Sequence, residues 1–184
     1  TIPGMPPCEP DEWGACFGVP DAPVLRLTKC YRSTLPITRL CNALLPMGGK
    51  HQIIGRDGDW PMIAPYDFES LQKTLEDWRN RDVMRLIAVI TRSQSEAAAL
   101  SKRIPGCYLL TGEPEDMLPE GRGVVVGGYH LMKGLEFDAV AVVWPTAELT
   151  DGESRRLYTA CSRALHGLCL FTQPDMIRAL GIVL

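Results

Sequence analysis

The sequence lacks the features that mark several large protein classes. No apolar run approaches the roughly 20 residues needed to span a bilayer, so no membrane segment is predicted. The formal net charge is −3, whereas nucleic-acid-binding domains usually carry a basic patch or a high pI. The chain also has no Gly-x-Gly-x-x-Gly fingerprint, internal repeat or low-complexity tract. Any contact with DNA or RNA is therefore expected to be local.

Metal-binding cysteine pairs are also missing. The chain has 7 cysteines, but none forms a Cys-x-x-Cys pair, and no histidine stands at ligand spacing from Cys161 and Cys169. We therefore predict no metal site. Several of the cysteines are predicted to be small buried hydrophobic residues, and all are predicted to be free thiols in a reducing, cytoplasmic compartment.

A complete phosphate-binding loop is absent as well. Residues 47–51, Met-Gly-Gly-Lys-His, resemble one, but Leu44 replaces its first glycine and His51 replaces the magnesium-binding Ser or Thr. A glycine-rich turn after a helix is the better interpretation. No strand ends in Asp-Glu, since Asp11 and Glu12 lie in an irregular segment. Without its own Walker A and B motifs, the chain alone is predicted to be unable to hydrolyse a nucleotide.

What is present is an alternation of helices and strands. Residues 1–23 are rich in proline and glycine and are predicted to be a linker or irregular head, followed by one domain over residues 24–184. Apolar runs predict strands near 24–28, 61–65, 86–90, 107–110, 124–126, 139–144 and 168–171. Apolar spacing predicts helices over about 34–45, 67–81, 93–103 and 174–180, and a further helix that begins near Thr150 and carries Arg163. The predicted helix starts are Ser33 or Thr34, Asp67, and the capping boxes Ser93-x-x-Glu96 and Thr150-x-x-Glu153. This alternation predicts an α/β fold with a mainly parallel sheet covered on both faces.

Residues 128–138, Gly-Tyr-His-Leu-Met-Lys-Gly-Leu-Glu-Phe-Asp, are predicted to place charged side chains on one short turn between two apolar strands. Charged groups so close to buried strands are costly unless something binds them. Ligands of open α/β sheets sit at strand ends. The block therefore predicts a binding site.

Two arginines suggest an anionic ligand. Arg32 directly precedes a predicted helix N-terminus, where unpaired N–H groups favour anions. Arg163 is predicted to lie in mid-helix among apolar residues, and a guanidinium there needs an anionic partner. That partner is either a phosphate or a carboxylate such as Glu136 or Asp138, and Arg163 by itself leaves both open.

Together the blocks Cys30-Tyr-Arg-Ser33, Lys133-Gly-Leu-Glu-Phe-Asp138 and Tyr158-Thr-Ala-Cys-Ser-Arg-Ala164 carry a resemblance. In this order they resemble the second RecA-like motor domain of UvrD/Rep-type superfamily 1 DNA helicases. The resemblance implies ATP as cofactor, with Mg²⁺ bound mainly by an upstream RecA-like domain of the same polypeptide. It implies single-stranded DNA as a partner.

The resemblance also implies roles for individual residues. Tyr31 would stack on adenine, Arg32 would reach the γ-phosphate, and Arg163 would be the arginine finger. Glu136 would contact the ribose, where Gly134 permits close backbone approach. The residues that would serve the nucleic-acid track are His130, Lys133 and, less specifically, Arg92.

The sequence departs from the family pattern at Cys30, where asparagine is usual, at Ser162, where threonine is usual, and at Gly128, where threonine is common. Residues 33–129 also leave no room for the accessory domain of the long helicases. This resembles the HelD branch, whose members associate with bacterial RNA polymerase. The alternatives are therefore a HelD-like polymerase-associated ATPase domain and a non-catalytic protein-docking module, with a free-standing nucleotide-binding enzyme disfavoured.

Overall fold

A parallel sheet of six strands organises the computed structural model, which describes residues 13–21, 23, 29–45, 52–146 and 149–179. The strands are β1 (Lys29–Cys30), β2 (Gln52–Ile53), β3 (Met62–Pro65), β4 (Leu86–Thr91), β5 (Cys107–Leu109), β6 (Gly123–Gly128), β7 (Phe137–Trp144) and β8 (Ala164–Thr172). The helices are α1 (Trp13–Cys16), α2 (Leu35–Leu44), α3 (Phe68–Arg79), α4 (Gln94–Ser101), α5 (Asp151–Cys161) and α6 (Pro174–Ala179).

The main sheet has the strand order β3-β8-β7-β4-β6-β5, and every neighbouring pair is parallel. One face packs against α2 and α5, and the other face packs against α3 and α4. The predicted α/β class, with a parallel sheet between two helical layers, is confirmed. The short strands β1 and β2 pair with each other in a separate parallel sheet.

The central strands are buried on both faces because their sequences are apolar without interruption. In β7, residues 139–144 are all buried, and β4 is buried from Ile87 to Thr91. Continuous apolar runs of this kind are typical of parallel strands covered on both sides. Both strands were predicted at these positions.

Three helices begin at the predicted caps. The Asp67 carboxylate accepts from Ser70 N at 2.8 Å, and the hydroxyls of Ser93 and Thr150 accept from the amides three residues on, at 3.2 and 3.3 Å. Helix α2 differs. Thr34 is its N-cap residue but makes no side-chain cap bond, and its buried hydroxyl has no hydrogen-bond partner among the described residues.

The prediction that Arg163 lies in mid-helix is wrong. Helix α5 ends at Cys161 with Ser162 as its C-cap, and β8 starts at Ala164, four residues before the predicted strand. Ala164 pairs with Phe137 of β7, and Phe137 N donates to Arg163 O at 3.0 Å. The apolar spacing typical of a helix continues in the sequence as far as Leu165, but the pairing of β8 with β7 ends the helix before Arg163.

The connection between β6 and β7 is a return crossover, residues 129–136. Gly128 pairs with Thr91 at the carboxyl end of β4, whereas Phe137 pairs with Ala164 at the amino end of β8. The crossover therefore runs back across the sheet, on the α2/α5 face, where Met132 is fully buried in the core. Residues 128–138 are thus not a single turn at one strand end, as was predicted, but span both edges of the sheet.

Some predictions concern other parts of the chain. The strand at 24–28 and the turn at 47–51 lie outside the described residues. In the segment predicted to be irregular, the structure has the short helix α1. The domain boundary near residue 24 stays a prediction.

The described cysteines Cys16, Cys41, Cys107, Cys161 and Cys169 are reduced thiols. Burial raises the pKa of Cys169 to about 12 and raises that of Cys161 well above its ordinary value. The described residues contain no helix long and apolar enough to cross a membrane. A cytoplasmic location stays a prediction.

These thiols should differ sharply in reactivity. We expect iodoacetamide at neutral pH to alkylate exposed Cys16 in the folded chain and to leave Cys161 and Cys169 unmodified, because burial keeps the last two protonated. Peptide mass spectrometry checks this, and the same reaction in denaturing urea is the control in which all should be labelled. Labelling of Cys169 in the folded chain at the rate of Cys16 would contradict the described core.

Candidate functional site

Three segments that are distant in sequence meet at the amino edge of the sheet. They are the residues before α2, the end of the return crossover, and the turn between α5 and β8. Each of these segments contributes one charged side chain, and the three are Arg32, Glu136 and Arg163. The structure therefore brings together the two arginines predicted to be catalytic and the carboxylate predicted to bind the cofactor.

Ser33 joins two of these segments. Its buried hydroxyl donates to Ala164 O at 2.6 Å, although the two residues lie 131 positions apart. Arg32 and Arg163 directly precede the two ends of this bond, so the bond holds their backbones close together. The sequence suggested Ser33 only as a possible helix cap, and its role as a clamp depends on the tertiary fold.

Arg32 and Glu136 form an ion pair. Arg32 Nε lies 2.6 Å from Glu136 Oε1, and each side chain is 43% exposed. A pair this exposed adds little to stability, because solvent screens both charges. It is therefore free to open when a ligand approaches.

Arg163 is held by backbone and hydroxyl groups. Its Nε donates to Thr159 O at 3.1 Å, its Nη1 to Leu135 O at 3.3 Å, and its Nη2 to Ser162 Oγ at 3.1 Å. Among the described residues, no carboxylate lies within ion-pair distance of it. Of the two alternatives left open by the sequence, the intramolecular carboxylate partner is therefore not what the structure contains.

The electrostatic surroundings of Arg163 disfavour its positive charge. Partial burial lowers its pKa, and the positive charge of Arg32 lowers the pKa further, while Glu136 acts in the opposite direction. An arginine nevertheless stays protonated in proteins. An arriving anion would relieve both effects, so this position favours a negatively charged ligand.

Tyr31 and Gly134 border this cluster. The ring of Tyr31 is 66% exposed, which leaves a face open for stacking. Gly134 has a φ of 90°, a conformation that favours glycine, and a Cβ added there would meet no atom within 4 Å. The space beside Gly134 is therefore open to a ligand.

The residues predicted to serve nucleic acid do not join this cluster. Arg92 follows β4 and His130 follows β6, so both lie at the carboxyl edge, opposite Arg163. Lys133 lies in the crossover between the two edges, and its side chain is exposed. The structure therefore places Arg92 and His130 at the edge of the sheet opposite the predicted nucleotide residues, with Lys133 between the two edges.

A network at the carboxyl edge connects Arg92 to α5. Glu153, in the first turn of α5, accepts from Trp144 Nε1 at 3.0 Å and from Arg156 Nη1 at 3.0 Å. Arg92 Nε lies 3.6 Å from the same carboxylate. The ring of Tyr129 packs edge-on against both Trp144 and His130. The sequence signalled Glu153 only as part of a capping box.

The structure gives a steric reason for Gly128. A Cβ added there would lie 2.9 Å from His130 Cε1 and 3.0 Å from the backbone N of Gln94, so a side chain at this position would require the His130 ring and the start of α4 to shift. The Gln94 side chain accepts from Gly128 N at 2.9 Å and donates to Leu110 O, which ties the start of α4 to the ends of β5 and β6. This departure from the family pattern is therefore accommodated by local packing.

Two further polar residues have structural contacts that the sequence did not reveal. Asp138 accepts from the backbone amides of Arg85 and Leu86 at 2.9 and 2.8 Å, which joins β7 to the start of β4. Arg56 Nη2 lies 3.2 Å from a ring nitrogen of His166, two residues into β8 from Ala164. Asp138 is thus a structural residue within the Lys133–Asp138 block.

The donors of the cluster fit a phosphate-bearing cofactor better than a metal ion. Guanidinium groups match phosphate oxygens in geometry and charge, and two of them converge at this edge. Among the described residues, no group of three or more His, Cys, Asp or Glu side chains could hold a metal ion.

Comparisons with known proteins identify the family of the chain. The sequence profile of the UvrD-like helicase C-terminal domain family matches residues 124–171, which include the crossover, Glu136 and Arg163. Among solved structures, the chain is similar to the C-terminal domain of a possible DNA helicase from Lactobacillus plantarum WCFS1. The identity is 32%, the TM-score is 0.58, and the match covers 82% of this chain and 96% of that one. No curated protein matches the chain.

The clamp at Ser33 can be tested by stability. We expect Ser33→Ala to lower the free energy of unfolding by about 1–3 kcal/mol, because a buried carbonyl loses its donor. Urea denaturation measures this. The control Glu76→Ala truncates an exposed side chain in the middle of α3 and should change the free energy by less than about 0.5 kcal/mol. Equal stabilities of the two variants would show that Ser33 does not join the segments.

Proposed function

Because the chain belongs to the UvrD-like helicase C-terminal domain family, we propose that it is the second RecA-like motor domain of an ATP-dependent DNA helicase or translocase. The observation that carries this proposal is the convergence of Arg32, Glu136 and Arg163 at one sheet edge. Arg163 is half-buried there without a carboxylate partner among the described residues. Such a site completes an ATP site whose phosphate loop lies on another domain.

In this proposal the two arginines act on the phosphates. Arg163 is the arginine finger and stabilises charge on the transferring phosphoryl group, as such residues do in other motor proteins. Its hydrogen bonds to Thr159 O and Leu135 O orient the guanidinium before the ligand arrives. Arg32 binds the γ-phosphate after leaving Glu136.

Glu136 then becomes available for the ribose. The exposed ion pair of Arg32 and Glu136 holds both side chains while no nucleotide is bound. When a phosphate takes over Arg32, the carboxylate of Glu136 can accept from ribose hydroxyls beside Gly134. The exposed ring of Tyr31 stacks on adenine. ATP would supply the transferable phosphoryl group, and Mg²⁺ would be held mainly by the upstream motor domain of the same polypeptide.

Single-stranded DNA is the proposed nucleic-acid partner. His130 and Arg92 lie at the opposite edge from the phosphate-binding arginines, and Lys133 lies between the two edges. Helix α5 runs from Glu153, beside Arg92, to the turn that holds Arg163. A shift of α5 is therefore a physical route by which DNA contacts can influence the arginine finger.

The finger role predicts a split between turnover and binding. In the polypeptide that carries this chain with its partner motor domain, we expect Arg163→Ala to lower kcat for ATP hydrolysis by about 10³–10⁵. The Kd for ATP should change much less, since the partner domain holds most of the nucleotide. Steady-state ATPase assays with and without single-stranded DNA, together with nucleotide titrations, measure both.

The matched control for this experiment is Arg155→Ala, which removes an exposed arginine from α5. It should leave kcat near the wild-type value. Arg163→Lys retains charge without the guanidinium fork, so its kcat should remain well below wild type. Equal losses of binding and turnover in Arg163→Ala would refute the finger role, and unchanged turnover would refute the motor function.

Protein docking is a second candidate function, and one surface favours it. Trp60 and Met62 are 68% and 47% exposed and line a cavity of about 400 Å³ between β3 and α3. Arg39 lies over the Trp60 ring at 5.7 Å from its centroid. In a HelD-like protein, this surface would bind RNA polymerase.

Docking predicts a different variant effect. We expect Trp60→Ala to raise the Kd for purified RNA polymerase by at least about tenfold, because an aromatic side chain that becomes buried in an interface often carries much of the binding energy. ATPase activity should not change. Val83→Ala, which shortens another exposed apolar side chain, is the control. Biolayer interferometry measures both. Full-affinity binding by Trp60→Ala, or no binding by the wild type, would exclude this surface as the polymerase site.

A further inference from the structure

A second cluster of arginines lies at the amino edge of the sheet, on the α3/α4 face. We propose that it is a phosphate-binding site separate from Arg32, Glu136 and Arg163. Three arginines, Arg79, Arg85 and Arg122, line a cavity of about 370 Å³. The apolar floor of the cavity includes Met84, Ile87 and Val124.

Two of these arginines are held in place by carbonyl oxygens. Arg79 Nη2 donates to Pro105 O at 3.2 Å. Arg122 Nη1 donates to Arg79 O at 3.1 Å, and its Nη2 donates to Asp82 O at 3.3 Å. Bonds of this kind fix the guanidinium forks before a ligand arrives, so less side-chain freedom is lost on binding.

The third arginine is available for a ligand. The guanidinium of Arg85 makes no hydrogen bond or ion pair with any residue that the structure describes, while its backbone N donates to Asp138. Arg79 and Arg122 therefore line the cavity and also hold nearby loops in place through hydrogen bonds to their carbonyl oxygens. Arg85 has no such structural task for its side chain.

The charge of the cavity favours an anion. None of the described residues that line it is acidic. Asp82 lies beside it and pairs with Arg122 at 2.9 Å, which offsets the charge of that one arginine and leaves those of Arg79 and Arg85. Asp138, near Arg85, directs one oxygen to the backbone amides of Arg85 and Leu86. The positive charge of the cavity thus exceeds the negative charge around it.

Phosphate is the anion that this arrangement fits. Guanidinium forks bind phosphate oxygens with paired hydrogen bonds, and the apolar floor lowers the local dielectric and strengthens the attraction. The cavity is large enough for more than one phosphate group. Its ligand is therefore either a small phosphorylated molecule or the phosphodiester backbone of a nucleic acid, and both share this chemistry.

The site does not depend on the proposed motor function. Its apolar floor, Met84, Ile87 and Val124, belongs to the core on the α3/α4 face, whereas Arg163 donates to the carbonyl oxygen of Leu135, which packs against the core on the α2/α5 face. The test therefore uses a background in which the first cluster cannot bind phosphate, namely the chain with Arg32→Ala and Arg163→Ala. Binding in that background must come from elsewhere on the chain.

Two probes distinguish the sources of phosphate. Isothermal titration calorimetry with pyrophosphate tests a small phosphorylated ligand, and fluorescence anisotropy with a short single-stranded DNA oligonucleotide tests a nucleic-acid backbone. We expect Arg85→Ala to raise the Kd of the probe that binds by about tenfold or more, because a charge-assisted hydrogen bond is lost. For the oligonucleotide, the slope of log K against log salt concentration should also become shallower, by the share of about one phosphate contact.

Lys102→Ala, which removes an exposed cation after α4 that does not line the cavity, is the control and should bind as its background does. Urea denaturation of each variant confirms that it is folded. Pyrophosphate binding that is lost in Arg85→Ala assigns a small ligand, and loss of oligonucleotide binding alone assigns a nucleic-acid backbone. If neither probe binds, or if Arg85→Ala binds as tightly as Lys102→Ala, the site does not exist.

Discussion

Strand β7 is the constraint on which the site depends. Its residues 139–144 are buried on both faces, and it is hydrogen-bonded between β4 and β8. A strand held on all sides has a fixed register, because a slip of one residue would exchange Val140, Val142 and Trp144 in one core with Ala139, Ala141 and Val143 in the other, and neither core would then be filled correctly. That register places Glu136 next to the end of α5 and puts Asp138 on the backbone amides that begin β4. The charged residues of the site are therefore positioned by the most apolar part of the chain.

The return crossover explains why the charged residues proposed for DNA and those proposed for ATP lie at different places on the sheet. A connection between parallel strands must run back along the sheet, and here residues 129–136 do so without a helix. Buried Met132 anchors the middle of the crossover in the core. Its two ends emerge at opposite edges, His130 at one and Glu136 at the other. In a motor domain, such a segment connects the surface proposed for DNA with the surface proposed for ATP over a short stretch of chain.

Partial burial gives the amino edge of the sheet around Arg163 its chemical character. Arg163 combines hydrogen bonds to carbonyl oxygens with a pKa lowered by burial and by Arg32, and no carboxylate among the described residues pairs with it. If a carboxylate paired with Arg163, an anionic ligand would first have to displace that carboxylate. The exposed pair of Arg32 and Glu136 can open at little cost. The same edge continues to the arginines around Arg85 on the other face, so both proposed phosphate sites use positive charge at the amino ends of parallel strands.

The sequence by itself determined the elements whose causes are local. Apolar runs specified β4 and β7, and the caps at Asp67, Ser93 and Thr150 specified where three helices begin, because each signal lies within a few residues of its effect. The grouping of Arg32, Glu136 and Arg163 came from the family resemblance, and no local pattern contains it. Only the tertiary structure decided that Arg163 lies beyond α5 and that residues 128–138 span both edges of the sheet. Ser33 likewise became a clamp only through folding, since its bond to Ala164 joins positions that no short-range pattern can relate. Pairing between distant strands overrides helical spacing, and that pairing is a property of the whole sheet.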